Sequence, residues 1–296
     1  MEIFSPIQPV YFLSDFPFWV KRDDLIDPYI SGNKWRKLKY ILHDVVSHGK
    51  THLVTFGGSY SNHLVATAAA AARSGLQSTA FVRGEEVSNE MLTICKLFGM
   101  NLIFVDRAQY RNKQMLYQQN FREDDTAYFI DEGGASDEAV RGCAELIPEL
   151  LTHYDHIFCA AGTGTTAAGL LRGINEHKIS TKLHVIPVLK GGTFLAAEIG
   201  RYEHDTSNLK LHADYHFGGY AKTNQELLNF IKKFSSSTGM LIDPVYTAKM
   251  FYAIYDLANK NYFKSDEKVL AIHTGGLLGI LGMKDKLFNS TSPVQL

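Results

Sequence analysis

Short apolar runs alternate with longer segments of helical periodicity along most of this sequence. Short apolar runs are typical of strands buried in a parallel sheet, and apolar residues spaced three and four apart are typical of amphipathic helices. The predicted strands span residues 53–56, 79–82, 102–105, 127–130, 157–160, 183–188 and 269–273. The predicted helices span residues 63–73, 89–98, 137–150, 166–174, 225–234 and 246–258, with another beginning near residue 34. This alternation predicts an α/β fold.

The length of 296 residues favours about two domains, since single domains commonly hold ~100–200 residues. No linker rich in proline, glycine or serine divides the chain, and no internal repeat is evident. A second domain is therefore expected as an insertion into the first. The apolar fraction of 45% and the charged fraction of 21% are those of an ordinary globular protein.

The formal net charge of -1 gives the protein no long-range field that would attract nucleic acid or an anionic membrane. Three widely spaced cysteines form no C-x-x-C pair, which disfavours a disulfide framework and a structural zinc site. The histidines follow no H-E-x-x-H pattern, so no metal centre is predicted. The absence of a signal-like start and of an apolar stretch of about 18 residues predicts a cytoplasmic protein.

One lysine stands out in the segment Ser31-Gly-Asn-Lys-Trp-Arg-Lys-Leu38. Lys34 follows two turn-forming residues and precedes a helical pattern, so it is expected at the start of a helix. A free lysine has a pKa of about 10.4 and becomes nucleophilic near neutrality when desolvation or a cation such as Arg36 or Lys37 lowers that pKa. The segment thus indicates Schiff-base chemistry, or else merely the basic face of a surface helix.

A second polar loop, Gly57-Gly-Ser-Tyr-Ser-Asn-His63, ends the first predicted parallel strand and opens an alanine-rich helix. Ser61, Asn62 and the backbone N–H groups of a helix N-terminus could bind a substrate carboxylate. Helix capping is the simpler role for these two side chains, and both roles can coexist. A serine hydrolase is disfavoured because G-x-S-x-G is absent. His63 and His273 are isolated, which favours packed or hydrogen-bonded histidines.

The loop Ala160-Ala-Gly-Thr-Gly-Thr-Thr-Ala-Ala-Gly169 also follows a predicted strand and opens a helix. Its backbone N–H groups and threonine hydroxyls are suited to a phosphate. Gly162-x-Gly164-x-x-Ala167 also matches the dinucleotide fingerprint, which would indicate a nicotinamide enzyme. That fingerprint needs an acidic residue at the end of the next strand, where this chain has Leu-Lys-Gly-Gly. A glycine-rich turn without a ligand is the third alternative.

Two further segments carry polar side chains next to predicted strands or turns. The run Ile272-His-Thr-Gly-Gly276 would present Thr274 at the carboxyl end of a strand, where ligands bind in α/β proteins. The cluster Arg22-Asp23-Asp24 carries adjacent opposite charges, and we expect it to form an exposed turn.

Together these motifs resemble the family of pyridoxal 5′-phosphate (PLP) enzymes that contains 1-aminocyclopropane-1-carboxylate (ACC) deaminase and D-cysteine desulfhydrase. The matching stretches, in the family's order, are residues 31–38, 57–63, 133–136, 162–169, 218–221, 241–249 and 273–276. The resemblance implies the fold of the tryptophan synthase β-subunit, PLP fold type II. It implies a large domain of residues 1–49 and 151–296, a small inserted domain of residues 50–150, and the cofactor between them. A homodimer is also implied.

The resemblance further implies a role for each matched side chain. Lys34 would form the Schiff base, Tyr220 would stack on the pyridine ring, and Tyr246 would relay a proton or anchor the substrate. The implied catalytic residues are Lys34, Ser61 and Tyr246. The implied cofactor contacts are Lys34, Lys37, Asn62, Gly162, Thr163, Gly164, Thr165, Thr166, Tyr220 and Thr274. The implied contacts with a small amino-acid substrate are Ser61, Asn62, His63 and Tyr246.

Two positions depart from the ACC deaminase pattern, which is expected to carry Glu at position 247 and Gln at position 63. A carboxylate beside the pyridine nitrogen keeps it protonated and the ring a strong electron sink, whereas Thr247 and Thr274 offer only hydroxyls. The chain is therefore expected to convert D-cysteine to pyruvate, ammonia and hydrogen sulfide. The alternatives are an ACC deaminase giving 2-oxobutanoate and ammonia, an NADP-binding oxidoreductase, and a noncatalytic PLP-binding protein.

Overall fold

The computed structural model describes residues 3–12 and 16–288 of the chain and contains two separate β-sheets. The strands are β1 (Ile7–Val10), β2 (Phe18–Lys21), β3 (His52–Gly58), β4 (Gln77–Arg83), β5 (Asn101–Val105), β6 (Ala127–Phe129), β7 (His156–Ala161), β8 (Lys182–Pro187), β9 (Leu209–Leu211) and β10 (Val269–Ile272). One sheet has the order β1-β2-β10-β7-β8-β9, and the other has the order β5-β4-β3-β6. All strand pairs are parallel except β1 with β2.

Helices connect the strands and cover the sheets. They are α1 (Asn33–Ser47), α2 (Asn62–Arg73), α3 (Glu90–Leu97), α4 (Lys113–Phe121), α5 (Asp137–Ala144), α6 (Thr165–Glu176), α7 (Leu195–Gly200), α8 (Gln225–Thr238), α9 (Thr247–Asn259) and α10 (Lys284–Phe288). Short 3-10 turns span Asp23–Leu25, Gln109–Arg111, Ile147–Glu149, Gly192–Phe194 and Leu277–Met283. The predicted α/β class is confirmed.

The strands predicted from apolar runs are all present. The interiors of β3 and β8 are buried on both faces, as expected of parallel strands covered by helices, and this burial explains their continuous apolar sequence. The strands β1, β2 and β9 were not predicted. Each has only three or four residues, too few for a clear pattern, and β1 and β9 are also partly exposed at sheet edges.

One predicted helix is shorter than its pattern indicated. Residues 137–150 were expected to form a single helix, but α5 ends at Ala144 and a separate 3-10 turn follows over Ile147–Glu149. Pro148 explains the break. A proline ring clashes with the carbonyl group four residues earlier, which here belongs to Ala144, and proline has no N–H to continue the helix.

The prediction of an exposed turn at residues 22–24 was wrong. Asp23 and Asp24 are 0% and 8% exposed, respectively. Arg36 donates to both carboxylate oxygens of Asp23 at 2.6 and 2.8 Å, and Arg22 does the same for Asp24 at 2.8 and 2.7 Å. Buried carboxylates require such partners. One partner lies far along the chain, so local sequence could not reveal the burial.

The two sheets draw on different parts of the chain. Helices α1 and α5 pack against each other and, respectively, against α2 and α6, which cover the two sheets. The four-stranded sheet lies within residues 52–129, and the six-stranded sheet uses strands before residue 22 and after residue 155. Gly142 in α5 touches the backbone of α1, since a Cβ there would lie 1.9 Å from the Arg36 carbonyl oxygen. Helix α5 also packs against α6 through Cys143 and Gly169. The domain boundaries at residues 50 and 150 stay a prediction.

The three cysteines, Cys95, Cys143 and Cys159, are buried free thiols. Burial raises the pKa of each thiol, so none of them is poised as a thiolate. Across residues 3–12 and 16–288, no helix is long and apolar enough to cross a membrane.

Candidate active site

The start of helix α1 is held between strand β10 and helix α6. Gly32 has a positive φ of 61° and packs directly on strand β10's continuation, since a Cβ there would lie 1.9 Å from the Thr274 carbonyl oxygen. Only glycine permits that approach. Asn33 Nδ2 donates to Thr166 Oγ1 at 2.8 Å, at the first turn of α6. The next residue is Lys34. Three predicted site residues, Lys34, Thr166 and Thr274, therefore lie in one region.

The surroundings of Lys34 favour a neutral amine. The side chain is half-buried, and desolvation, followed by repulsion from the ammonium of Lys37, lowers the pKa of Lys34 to about 7. Lys37 is buried and donates to the Gly133 carbonyl oxygen at 2.9 Å. Arg36 does not lower the pKa of Lys34, because Asp23 and Glu149 neutralise its charge. An amine with such a pKa is available as a nucleophile near neutral pH.

His63 lies beside these two lysines and is engaged with the protein. The ring is 3% exposed, and its Nε2 lies 2.7 Å from Thr55 Oγ1. The Thr55 hydroxyl donates to the Ile130 carbonyl oxygen at 2.9 Å, so it accepts from His63 Nε2–H. Burial, followed by repulsion from Lys34 and Lys37, holds the pKa of His63 well below its usual value. His63 is thus a neutral, packed histidine, and its contact with substrate stays a prediction.

The glycine- and threonine-rich loop forms the N-terminus of helix α6. Gly164 caps the helix in the left-handed conformation and supplies no capping side chain, so first-turn N–H groups remain open to an anion. Thr163 Oγ1 and Thr165 Oγ1 lie 3.1 Å apart. A Cβ at Gly133 would lie 3.4 Å from the Thr163 methyl group, so the carbonyl that holds Lys37 is beside this loop.

Tyr246 borders the same loop, and Tyr220 packs against Tyr246. A Cβ at Gly162 would lie 3.2 Å from the ring of Tyr246, so the loop and the start of helix α9 are in contact. The rings of Tyr246 and Tyr220 meet edge to face with their centroids 6.1 Å apart. Burial, followed by the neighbouring Tyr220, raises the pKa of Tyr246 well above its usual value. Its hydroxyl therefore keeps its proton, while Tyr220 remains 44% exposed.

Ser61 and Asn62 lie at the N-terminus of helix α2. Ser61 is the N-cap residue, and its Oγ accepts from Leu64 N at 3.4 Å, a weak capping bond. Asn62 Nδ2 lies 2.8 Å from where a Cβ on Gly276 would be, so the loop after Thr274 reaches the amide. The capping role anticipated for Ser61 is present, and the weak bond leaves the hydroxyl and the helix N-terminus able to bind a carboxylate.

The role of Asp243 was missed in the sequence. Its Oδ1 accepts from Thr247 N at 3.2 Å, and Thr247 Oγ1 accepts from Asp243 N at 2.7 Å, a reciprocal pair that begins helix α9. The spacing of an aspartate four residues before a threonine was the available signal. Asp243 is 0% exposed, and within residues 3–12 and 16–288 its Oδ2 has no hydrogen-bond partner. Burial raises the pKa of Asp243 to about 7.

The raised pKa predicts how Asp243 affects stability at different pH values. Folding favours the neutral carboxyl group, so its contribution to stability is full below the unfolded pKa of 3.8 and is lost as pH rises through about 7. Between about pH 5 and pH 8, wild type should lose ~2.5 kcal/mol of unfolding free energy relative to Asp243→Asn. Urea unfolding of both proteins at several pH values measures this difference. Parallel pH profiles would contradict the prediction.

The described residues fit a cofactor that carries an aldehyde, an aromatic ring and a phosphate. Lys34 offers a neutral amine, and the uncapped first turn of α6 offers an anion site. Asn33 joins the helix of the amine to the helix of the anion site through Thr166. Tyr220 leaves part of its ring exposed beside Tyr246, as a stacking partner requires. Such a site defines a PLP-dependent enzyme.

The comparison with protein families agrees with this site. The model of the family described as "Pyridoxal-phosphate dependent enzyme" matches residues 2–275, and the chain belongs to this family. PLP is therefore the cofactor. The glycine-rich loop is accordingly assigned to a phosphate group and not to a nicotinamide dinucleotide. The fold is PLP fold type II, as predicted.

Relatives of this chain include deaminases and a desulfhydrase. A "Putative 1-aminocyclopropane-1-carboxylate deaminase" of Pyrococcus horikoshii is 34% identical over 288 residues, covering 92% of this chain and 88% of the relative. A mitochondrial "Bifunctional D-cysteine desulfhydrase/1-aminocyclopropane-1-carboxylate deaminase" of Arabidopsis thaliana is 29% identical over 301 residues, covering 91% and 74%. The solved structure of an "ACC deaminase homologue" is 31% identical, with a TM-score of 0.87 and coverage of 96% and 93%. The predicted family is confirmed.

Proposed function

We propose that this protein catalyses α,β-elimination on a small amino acid, with D-cysteine as the preferred substrate. The observation that carries the proposal is the place of Lys34, half-buried at the start of α1 and joined through Asn33 and Thr166 to an open anion site. Desolvation there lowers the pKa of Lys34 to about 7. An amine of this kind can both attach the cofactor and act as a base. The reaction breaks the Cα–H and Cβ–S bonds, and water enters as ammonia leaves. The products are pyruvate, ammonia and hydrogen sulfide.

Each side chain has a proposed task around the cofactor. The loop Gly162, Thr163, Gly164, Thr165 and Thr166 would bind the phosphate, with Lys37 nearby, and Asn62, Tyr220 and Thr274 would contact the ring. PLP, when bound, supplies the electron sink for charge that develops at Cα. Ser61 and the N-terminus of α2 would bind the substrate carboxylate, beside Asn62 and His63. Lys34 Nζ would take the Cα proton, and the Tyr246 hydroxyl, which keeps its own proton, would donate to the substrate.

The choice of D-cysteine over ACC depends on Thr247. Its side chain is fully buried, and its hydroxyl accepts from Asp243 N, so residue 247 offers no carboxylate. The ACC deaminase pattern is expected to have Glu there. A weaker electron sink suits departure of a good leaving group better than opening an unactivated cyclopropane. ACC deamination to 2-oxobutanoate is the second candidate, supported by the name of the Pyrococcus relative.

We also propose that the protein is cytoplasmic and that it forms a homodimer.

A substrate panel tests the proposal. The purified protein is incubated with D-cysteine, L-cysteine, D-serine and ACC, and the 2-oxo acid products are separated and identified. We expect pyruvate and sulfide from D-cysteine at the highest rate. If only ACC reacts, giving 2-oxobutanoate, the substrate assignment is wrong. If the protein shows a visible cofactor band but releases no 2-oxo acid, it is a noncatalytic PLP-binding protein.

A further inference from the structure

Lys249 is a charged side chain with no role in the chemistry described above. It lies on helix α9, one turn after Tyr246, and is 0% exposed. Its ammonium donates to the carbonyl oxygens of Gly219 at 2.7 Å, His216 at 2.8 Å and Val188 at 3.3 Å. Burying an ammonium is costly unless strong acceptors surround it. All three acceptors are backbone groups, so the charge acts on the position of the chain.

The segment that Lys249 holds has an unfavourable backbone conformation. Within residues 216–221, positive φ angles occur at Phe217 (50°), Gly218 (90°), Gly219 (115°) and Ala221 (53°). Residues with a Cβ rarely adopt such angles, and they persist only where the surroundings enforce them. Two of the three bonds from Lys249 go to this segment, and the third goes to the chain just after strand β8.

The residue after Gly219 is Tyr220, whose orientation depends on this loop. The residue is 44% exposed, so no core encloses it. Its ring meets the ring of Tyr246 at 6.1 Å, and Tyr246 touches Gly162 of the anion-binding loop. Helix α9 thus holds one tyrosine directly and holds the loop of the other through Lys249.

We propose that Lys249 is a positioning residue that fixes the loop of residues 216–221 and thereby orients Tyr220 beside Tyr246 at the cofactor site. It touches neither cofactor nor substrate and acts through Tyr220 alone. This inference rests on the proposed role of Tyr220 as a cofactor contact. It predicts that losing the Lys249 amine weakens cofactor binding only while the Tyr220 ring is present.

A double-mutant cycle tests this dependence. The variants are Lys249→Met, which keeps the length but removes the donors, Tyr220→Ala, and the double variant. The dissociation constant of PLP is measured for each cofactor-free protein by quenching of intrinsic fluorescence. We expect each single variant to weaken binding about tenfold, and the double variant to bind no more weakly than Tyr220→Ala. Effects that multiply, or an unchanged constant in Lys249→Met, would overturn the proposal.

Two controls separate positioning from general loss of structure. Lys260→Met removes an exposed lysine next to the same helix, paired with Asp256 at 2.6 Å, and should leave the dissociation constant unchanged. If Lys249→Met does not fold, Lys249→Gln, which keeps two N–H donors, replaces it in the cycle, with a smaller weakening expected. Because the readout is PLP binding, a wild-type protein that binds PLP without releasing pyruvate would refute the proposed function alone.

Discussion

Lys34→Ala is expected to lower kcat/KM for D-cysteine by about 10³-fold or more and to lack the visible, borohydride-sensitive band that we expect of the wild-type protein. In the proposed function this side chain supplies both the covalent attachment and the base, and general base catalysis alone contributes about 10²–10⁴-fold. The pKa of about 7 at Lys34 is the physical reason that this amine can serve at neutral pH. Absorbance spectra with and without borohydride, and the pyruvate assay, measure both effects.

A matched control for Lys34→Ala lies on the same helix. Lys39 is 39% exposed and pairs with Glu145 at 2.7 Å, and that partner raises its pKa. Lys39→Ala should therefore keep both the band and the activity. A borohydride-sensitive band that persists in Lys34→Ala would mean that a different amine binds the cofactor. Lys37, buried and next in line along α1, would then be the residue to replace.

The fold was predictable because the chain buries most of its parallel strands on both faces. Continuous apolar runs such as those of β3 and β7 identify such strands without knowledge of their partners. The start of the lysine helix was predictable for a local reason as well. Gly32 and Asn33 are turn-forming residues, and the structure uses them for contacts with Thr274 and Thr166. Local patterns thus placed the strands and the loops that follow them.

Buried charges were not predictable, because burial of a charge depends on partners far away in sequence. Asp23 was expected at the surface, and its buried partner Arg36 was expected to act on Lys34. Lys249 lay within a matched motif without any sign that its amine would reach the backbone carbonyls of His216 and Gly219. In each case the local sequence predicts a solvent-exposed side chain. Only the assembled fold brings the opposite charge or the carbonyl oxygens that allow its burial.

Arg36 connects the lysine helix to two 3-10 turns, Asp23–Leu25 and Ile147–Glu149. Its guanidinium donates two hydrogen bonds to the Asp23 carboxylate, at 2.6 and 2.8 Å, and two to the Glu149 carboxylate, at 2.7 and 2.9 Å. Lys21 adds a second cation to Glu149 at 2.8 Å. The side chains of Arg36 and Asp23 are 3% and 1% exposed, so water cannot replace either partner. Lys34 lies two residues before Arg36, so the same ion network anchors the turn of α1 that carries Lys34.

Arg36→Met is expected to lower the unfolding free energy by about 3–5 kcal/mol, because it leaves Asp23 buried without its counter-charge. Lys39→Met removes the ion pair with Glu145 from the same helix. The side chains of Lys39 and Glu145 are 39% and 35% exposed, so a loss of only ~0–1 kcal/mol is expected. Urea unfolding of the three proteins under one condition compares these losses. Equal losses in the two variants would mean that burial of the Arg36 network adds nothing to its contribution, and helix α1 would then depend on apolar packing alone.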